Sequence, residues 1–84
     1  MKNKEILKKK IIYRSTHRGT KEMDALLSSF VKQYIDKLNL SELKDLDQFL
    51  IIEDEVLYNF YFRKNYSKSL ASNKMLTLFK NFVF

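Results

Sequence analysis

Between Met23 and Leu38, eight apolar residues recur at steps of mostly three and four: Met23, Leu26, Leu27, Phe30, Val31, Tyr34, Ile35 and Leu38. A helix turns once in about 3.6 residues, so this spacing gathers them on one face. Little in the chain would interrupt such a face. Its 84 residues include no proline and one glycine, Gly19. Proline breaks helices and glycine weakens them. A chain nearly free of both, with apolar residues at helical spacing, is expected to be all-α. A helix from about Thr20 to Leu38 would be roughly 28 Å long and would form the spine of the fold.

Four further helices are expected around it. The first runs from about Lys4 to Tyr13, with Ile6, Leu7, Ile11 and Tyr13 inward and Lys8, Lys9 and Lys10 outward. Asn39 can stop the spine, because asparagine tolerates the left-handed conformation at a helix end. Ser41 then caps a third helix whose inner face is Leu43, Leu46, Phe49 and Leu50. Asp54 caps a short fourth helix carrying Val56, Leu57, Phe60 and Tyr61, and the polar stretch from Arg63 to Ser69 reads as a loop. Ser72 caps the last helix, with Met75, Leu76, Phe79 and Phe82 inward and Phe84 helping to close the core. The expected architecture is a compact bundle of about five helices, with residues 1–84 as one domain and a basic N-terminal arm at about 1–10.

Composition narrows the chemistry. There is no cysteine and a single histidine, so disulfides, thiolate catalysis and a zinc site are not expected. A chain this short buries only about 60–65% of its unfolded surface, which leaves little room for an enclosed pocket and argues against an enzyme. No apolar run approaches the ~20 residues of a membrane span, and the first residues lack the apolar core of a signal peptide. Charge is uneven. Residues 1–22 hold eight Lys/Arg and two Glu and carry the whole net charge of +6, while residues 23–84 are neutral. Such a basic arm is an electrostatic handle for an acidic protein, a nucleic acid or an anionic membrane surface.

The stretch from Tyr13 to Asp24, which surrounds the lone glycine, is the first candidate site. As N-cap of the second helix, Gly19 would place Glu22 at the third helical position, where its side chain can reach back to the cap. A bare backbone at Gly19 would also admit a close approach by a partner. Glu22 and Asp24 point roughly 200° apart on a helix, so they cannot work as one acid–base pair. Both gain from the positive end of the helix dipole. Arg14, His17 and Arg18 form a basic loop before the helix, and Arg18, followed by a bare glycine, is placed to fork onto a partner's carboxylate or carbonyl. His17 has no serine, cysteine or second histidine at a catalytic spacing and reads as a contact or packing residue. In the second marked segment, Asp54 to Phe60, Leu57 and Phe60 suit a core, whereas Tyr58 and Asn59 suit the surface.

Arg18-Gly19-x-x-Glu22-x-Asp24, preceded by Tyr13-Arg14-Ser15, resembles the RGxxE signature of the SdhE family. The segment from Asp54 to Phe60 is similar to that family's D-x-D-L-Y-N-W region, with Val56 and Phe60 in place of the aspartate and tryptophan. The resemblance covers about Ile11 to Tyr61. It implies a five-helix assembly factor without catalytic power, which binds the flavoprotein subunit of succinate dehydrogenase or fumarate reductase and promotes covalent attachment of FAD. The FAD is held by the partner, and no cofactor or metal is bound stably by the chain itself. The implied docking surface comprises Arg14, His17, Arg18, Gly19, Glu22 and Asp24, with Asp54 and Tyr58 from the second segment. A free monomer in the bacterial cytoplasm is expected, in preference to the mitochondrial matrix, with no membrane insertion. The alternative class is a small basic helical nucleic-acid binder, which Glu22 and Asp24 at the helix start disfavour by repelling phosphates.

Overall fold

The computed structural model describes residues 2–66 and 73–84. Five α-helices follow one another: α1 (Lys2–Thr16), α2 (Lys21–Tyr34), α3 (Leu40–Phe49), α4 (Asp54–Phe62) and α5 (Lys74–Lys80). A single 3₁₀ turn, Ile35–Lys37, extends α2. Among the described residues there is no strand. The all-α expectation therefore holds.

The α2 stripe is the centre of the core, with Met23, Leu26, Leu27, Phe30, Val31 and Ile35 all buried. Phe30 sits among aromatic rings from three other parts of the chain. Phe49 of α3, Phe79 of α5 and Phe82 beyond α5 have ring centroids 5.2–5.4 Å from it. Tilted and edge-on pairs at this range add attraction beyond apolar burial. Phe84, expected in this core, is instead 57% exposed.

The inner face of α1 differs from the expected one. It consists of Leu7, Ile11 and Ser15, one helical turn apart, while Ile6 and Tyr13 are both 63% exposed. Tyr13 lies two residues from Ile11 and so points to the opposite side of the helix. Ser15 is buried but satisfied, because its hydroxyl donates to the Ile12 carbonyl at 2.8 Å.

The helix caps also move. Asn39 starts α3 rather than stopping α2. Its side chain accepts from the Glu42 N–H at 2.8 Å, and the Glu42 side chain accepts from the Asn39 N–H at 3.0 Å. This reciprocal capping box satisfies two orphan donors at once, and Ser41, the expected cap, lies within the helix. Lys74 donates to Glu42 at 2.7 Å and ties α5 to the same cap. The Lys74 bond, then the Asn39 bond, holds the Glu42 carboxyl below its ordinary value, and the Glu42 bond raises Lys74. Glu53 takes the N-cap of α4, with Asp54 inside it. Asn73 caps α5; the expected cap Ser72, like 67–69 of the expected loop, lies outside the described residues.

Candidate partner-docking site

The α1–α2 connection is the polar segment His17 to Thr20, and α1 continues to Thr16, so Arg14 is helical rather than part of a loop. Thr20, not Gly19, caps α2. Its hydroxyl accepts from the Met23 N–H at 3.2 Å, and its carbonyl accepts from the Asp24 N–H at 3.0 Å. Glu22 thus stands one place short of the capping-box position, and no capping hydrogen bond involves it.

Arg18 turns inward. Its side chain is 9% exposed. Nε donates to Asp54 Oδ1 at 2.8 Å, one terminal nitrogen donates to the Leu50 carbonyl at 2.8 Å, and the other to the Ile52 carbonyl at 3.1 Å. A further bond reaches back to the Arg14 carbonyl at 3.2 Å. These acceptors share a physical origin. Leu50 ends α3, where carbonyls lack helical partners and the dipole is negative, so a buried guanidinium is suited to them. Asp54 opens α4, where a carboxylate is favoured. Arg18 thus bridges the end of one helix and the start of the next. The carboxylate that its fork grips belongs to its own chain.

Gly19 has an ordinary backbone conformation; the only positive φ among the described residues belongs to Lys64. Its need is one of space. The Gly19 N–H donates to Asp54 Oδ2 at 2.8 Å, and a Cβ there would stand 3.3 Å from the same oxygen. The close approach predicted for Gly19 is thus made by Asp54. On the other side, the Arg18 N–H donates to Asp24 Oδ1. Two carboxylates from different helices therefore hold two consecutive N–H groups of the connection.

Around this internal network lie exposed groups. His17 stacks on Tyr13, with ring centroids 3.9 Å apart, and its Nδ1 lies 2.8 Å from the Tyr13 carbonyl. Glu22 is exposed and forms no hydrogen bond among the described residues. Thr20, Glu22, Met23, Asp54, Glu55 and Tyr58 line an open groove where α2 meets α4. Tyr58 is half-buried, stacked at a tilt against Phe62. Arg14 points elsewhere, with Nε 3.4 Å from Asp47 Oδ1 on α3.

Asp47 is the polar residue that the sequence reading misses. It is 6% exposed, and Lys10 Nζ lies 3.4 Å from its other oxygen. The signal was present: Leu43, Leu46, Asp47 and Leu50 share one helical face, so a carboxylate stands in an otherwise apolar stripe. Nothing comparable announces Arg18–Asp54, whose members lie 36 residues apart.

Fold and site together define a small helical protein with a polar connection pinned by internal hydrogen bonds and an open groove beside it, the form of a binding module. The chain belongs to the family described as the flavinator of succinate dehydrogenase, whose model matches residues 9–83. It is 40% identical over 63 residues to "Succinate dehydrogenase assembly factor 2, mitochondrial" of Meyerozyma guilliermondii, covering 75% of this chain and 46% of that protein. The proteins of the same name from Scheffersomyces stipitis and Dictyostelium discoideum are 39% and 40% identical over 70 and 60 residues. These alignments cover 83% and 71% of this chain and 46% and 43% of the relatives. The chain thus spans less than half the length of these relatives. No solved structure matches it. The resemblance to the assembly-factor family stands. The expected bacterial cytoplasm does not: the relatives are named as mitochondrial proteins, which points to mitochondria instead.

Proposed function

We propose that the chain is a non-catalytic assembly factor that docks on the flavoprotein subunit of succinate dehydrogenase and promotes covalent attachment of the FAD held there. The observation that carries this reading is the division of labour within the Arg18–Asp24 segment. Arg18, Gly19, Asp24 and Asp54 spend their polar groups on one another, whereas Glu22 remains exposed and unspent. On this reading the four inner residues set the shape of the connection. Glu22, His17 and Tyr58 supply contacts, and Arg14 supports them from α1. Docking favours one conformation of the partner and shifts its population toward that state. If that state aligns the partner's nucleophile with the flavin, attachment accelerates through orientation alone.

The test is to express the flavoprotein with and without this chain and to read covalent flavin fluorescence on a denaturing gel. A strong rise with the chain present is expected. Equal fluorescence in the two samples would sink the proposal.

A further inference from the structure

α1 and α3 leave an open groove of about 340 Å³ near their N-terminal ends, lined by Asn3, Ile6, Leu7, Lys10, Leu40 and Lys44. The four α1 residues follow the i, i+3, i+4, i+7 spacing of a single helix face, and Leu40 and Lys44 stand one turn apart on α3. Ile6 is 63% exposed and Leu40 40%. Scattered apolar residues on a surface need no explanation. Here two line the same concave place from different helices. The groove is also separate from the Arg18 connection, since the ten helical steps from Ile6 to Thr16 span about 15 Å.

Charge marks the occupant. The lining includes two lysines and no carboxylate. Lys44 forms no ion pair among the described residues. Lys10, with Asp47 3.4 Å away, keeps half of its side chain exposed. Neighbouring positions on α1 add Lys4 and Lys9 against Glu5. This is where the basic arm of the chain becomes a shaped surface. A nucleic acid would press phosphates onto Ile6 and Leu40, which offer no hydrogen bonds. A flat lipid surface does not fit a concavity. The groove lies at the small end of ligand cavities and is open, so it would leave a small molecule largely wet.

We propose that this groove docks an acidic amphipathic helix of a partner protein. Its apolar side chains would settle on Ile6, Leu7 and Leu40, and its flanking carboxylates would meet Lys10 and Lys44. The proposal is independent of the flavoprotein contact.

A fluorescein-labelled peptide of about 18 residues, long enough to hold a helix, serves as probe. It carries leucines along one face and glutamates on both flanks, and its binding to the full chain is read by anisotropy. Leu40→Asp should weaken binding about tenfold or more. Lys44→Glu should weaken it about three- to fivefold and should favour a peptide with lysines in place of the glutamates. Both positions are exposed, and circular dichroism checks that the variants fold. Equal binding of a peptide with serines for the leucines, or indifference to Leu40→Asp, overturns the proposal. So does failure of the peptide to bind while a DNA duplex or phosphatidylserine vesicles bind in a Leu40-dependent way.

Discussion

Arg18→Ala provides the sharpest test of the internal network. The arginine is 9% exposed, and its partner Asp54 is 27% exposed. Truncation removes bonds to one carboxylate and three carbonyls. Breaking a fully buried pair costs about 3–5 kcal/mol, and hydrogen bonds to charged groups contribute about 1.5–3 each. Asp54 is open enough to regain water, so the lower end applies. A loss of about 3 kcal/mol is expected, a large share of the roughly 5–15 kcal/mol that holds a domain of this size. For 60–100 residues each kcal/mol lowers the melting temperature by about 4–8 °C, so a drop of about 12–24 °C should appear in a thermal melt followed by circular dichroism. Asp54→Ala in that background should add only the loss of its bond to the Gly19 N–H, about 1 kcal/mol. The double mutant should be less destabilised than the two singles together by about 1 kcal/mol or more. A melting temperature within about 4 °C of the parent, or full additivity, would refute the argument that Arg18 acts inside its own fold.

Three other perturbations separate roles elsewhere. Glu22→Gln removes only a first-turn charge, so stability should change by less than about 1 kcal/mol, while covalent flavin incorporation in the co-expression assay falls several-fold; unchanged incorporation would assign Glu22 to the helix start alone. Arg14→Ala should destabilise more than Asp47→Asn, by about 1 kcal/mol in urea titrations, because it strips a buried carboxylate of its arginine whereas the asparagine leaves no charge behind. The Glu42 carboxyl, held below its ordinary 4.5, contributes stability that is present above that value and is lost as the pH falls through its folded pKa; raised Lys74 contributes stability that is present below 10.5 and is lost as the pH rises through its folded pKa. NMR titration of the Glu42 side chain should therefore give a midpoint below 4.5, and Lys74→Ala should move it upward.

The legible part of this protein was the part written in local period. The α2 stripe from Met23 to Ile35 can be read from three- and four-residue steps, and it lies in the core. Caps were legible in kind but not in position. Ser41 and Gly19 were plausible, yet Asn39 and Thr20 hold those places, because several neighbouring polar residues can each satisfy the same orphan N–H groups. On α1 the pattern misled. With lysines and apolar residues mixed around the whole helix, the inward line Leu7–Ile11–Ser15 is chosen by the helices packed against it. The inward turn of Arg18 could not be read locally at all. Its acceptors are a carboxylate 36 residues away and carbonyls exposed by the end of α3.

That inward turn changes the sign of the candidate docking surface. As a sequence, Tyr13 to Asp24 is basic before the glycine, which suggests an acidic partner. Once folded, Arg18 is matched by Asp54 and Arg14 lies against Asp47. Among the residues lining the groove beside α2, the exposed charges are the carboxylates Glu22 and Glu55, over an apolar floor of Met23 and Tyr58. Long-range attraction follows the net field, but contact specificity follows groups that stay exposed, because a group both buried and matched within the fold, as Arg18 is, gains little from a second partner. On the proposed reading the partner should present a cation with an apolar stem there, and Arg18 should matter through the shape it maintains. On that reading Arg18 would be indispensable to docking without touching the partner, because its donors are spent where one helix ends and the next begins.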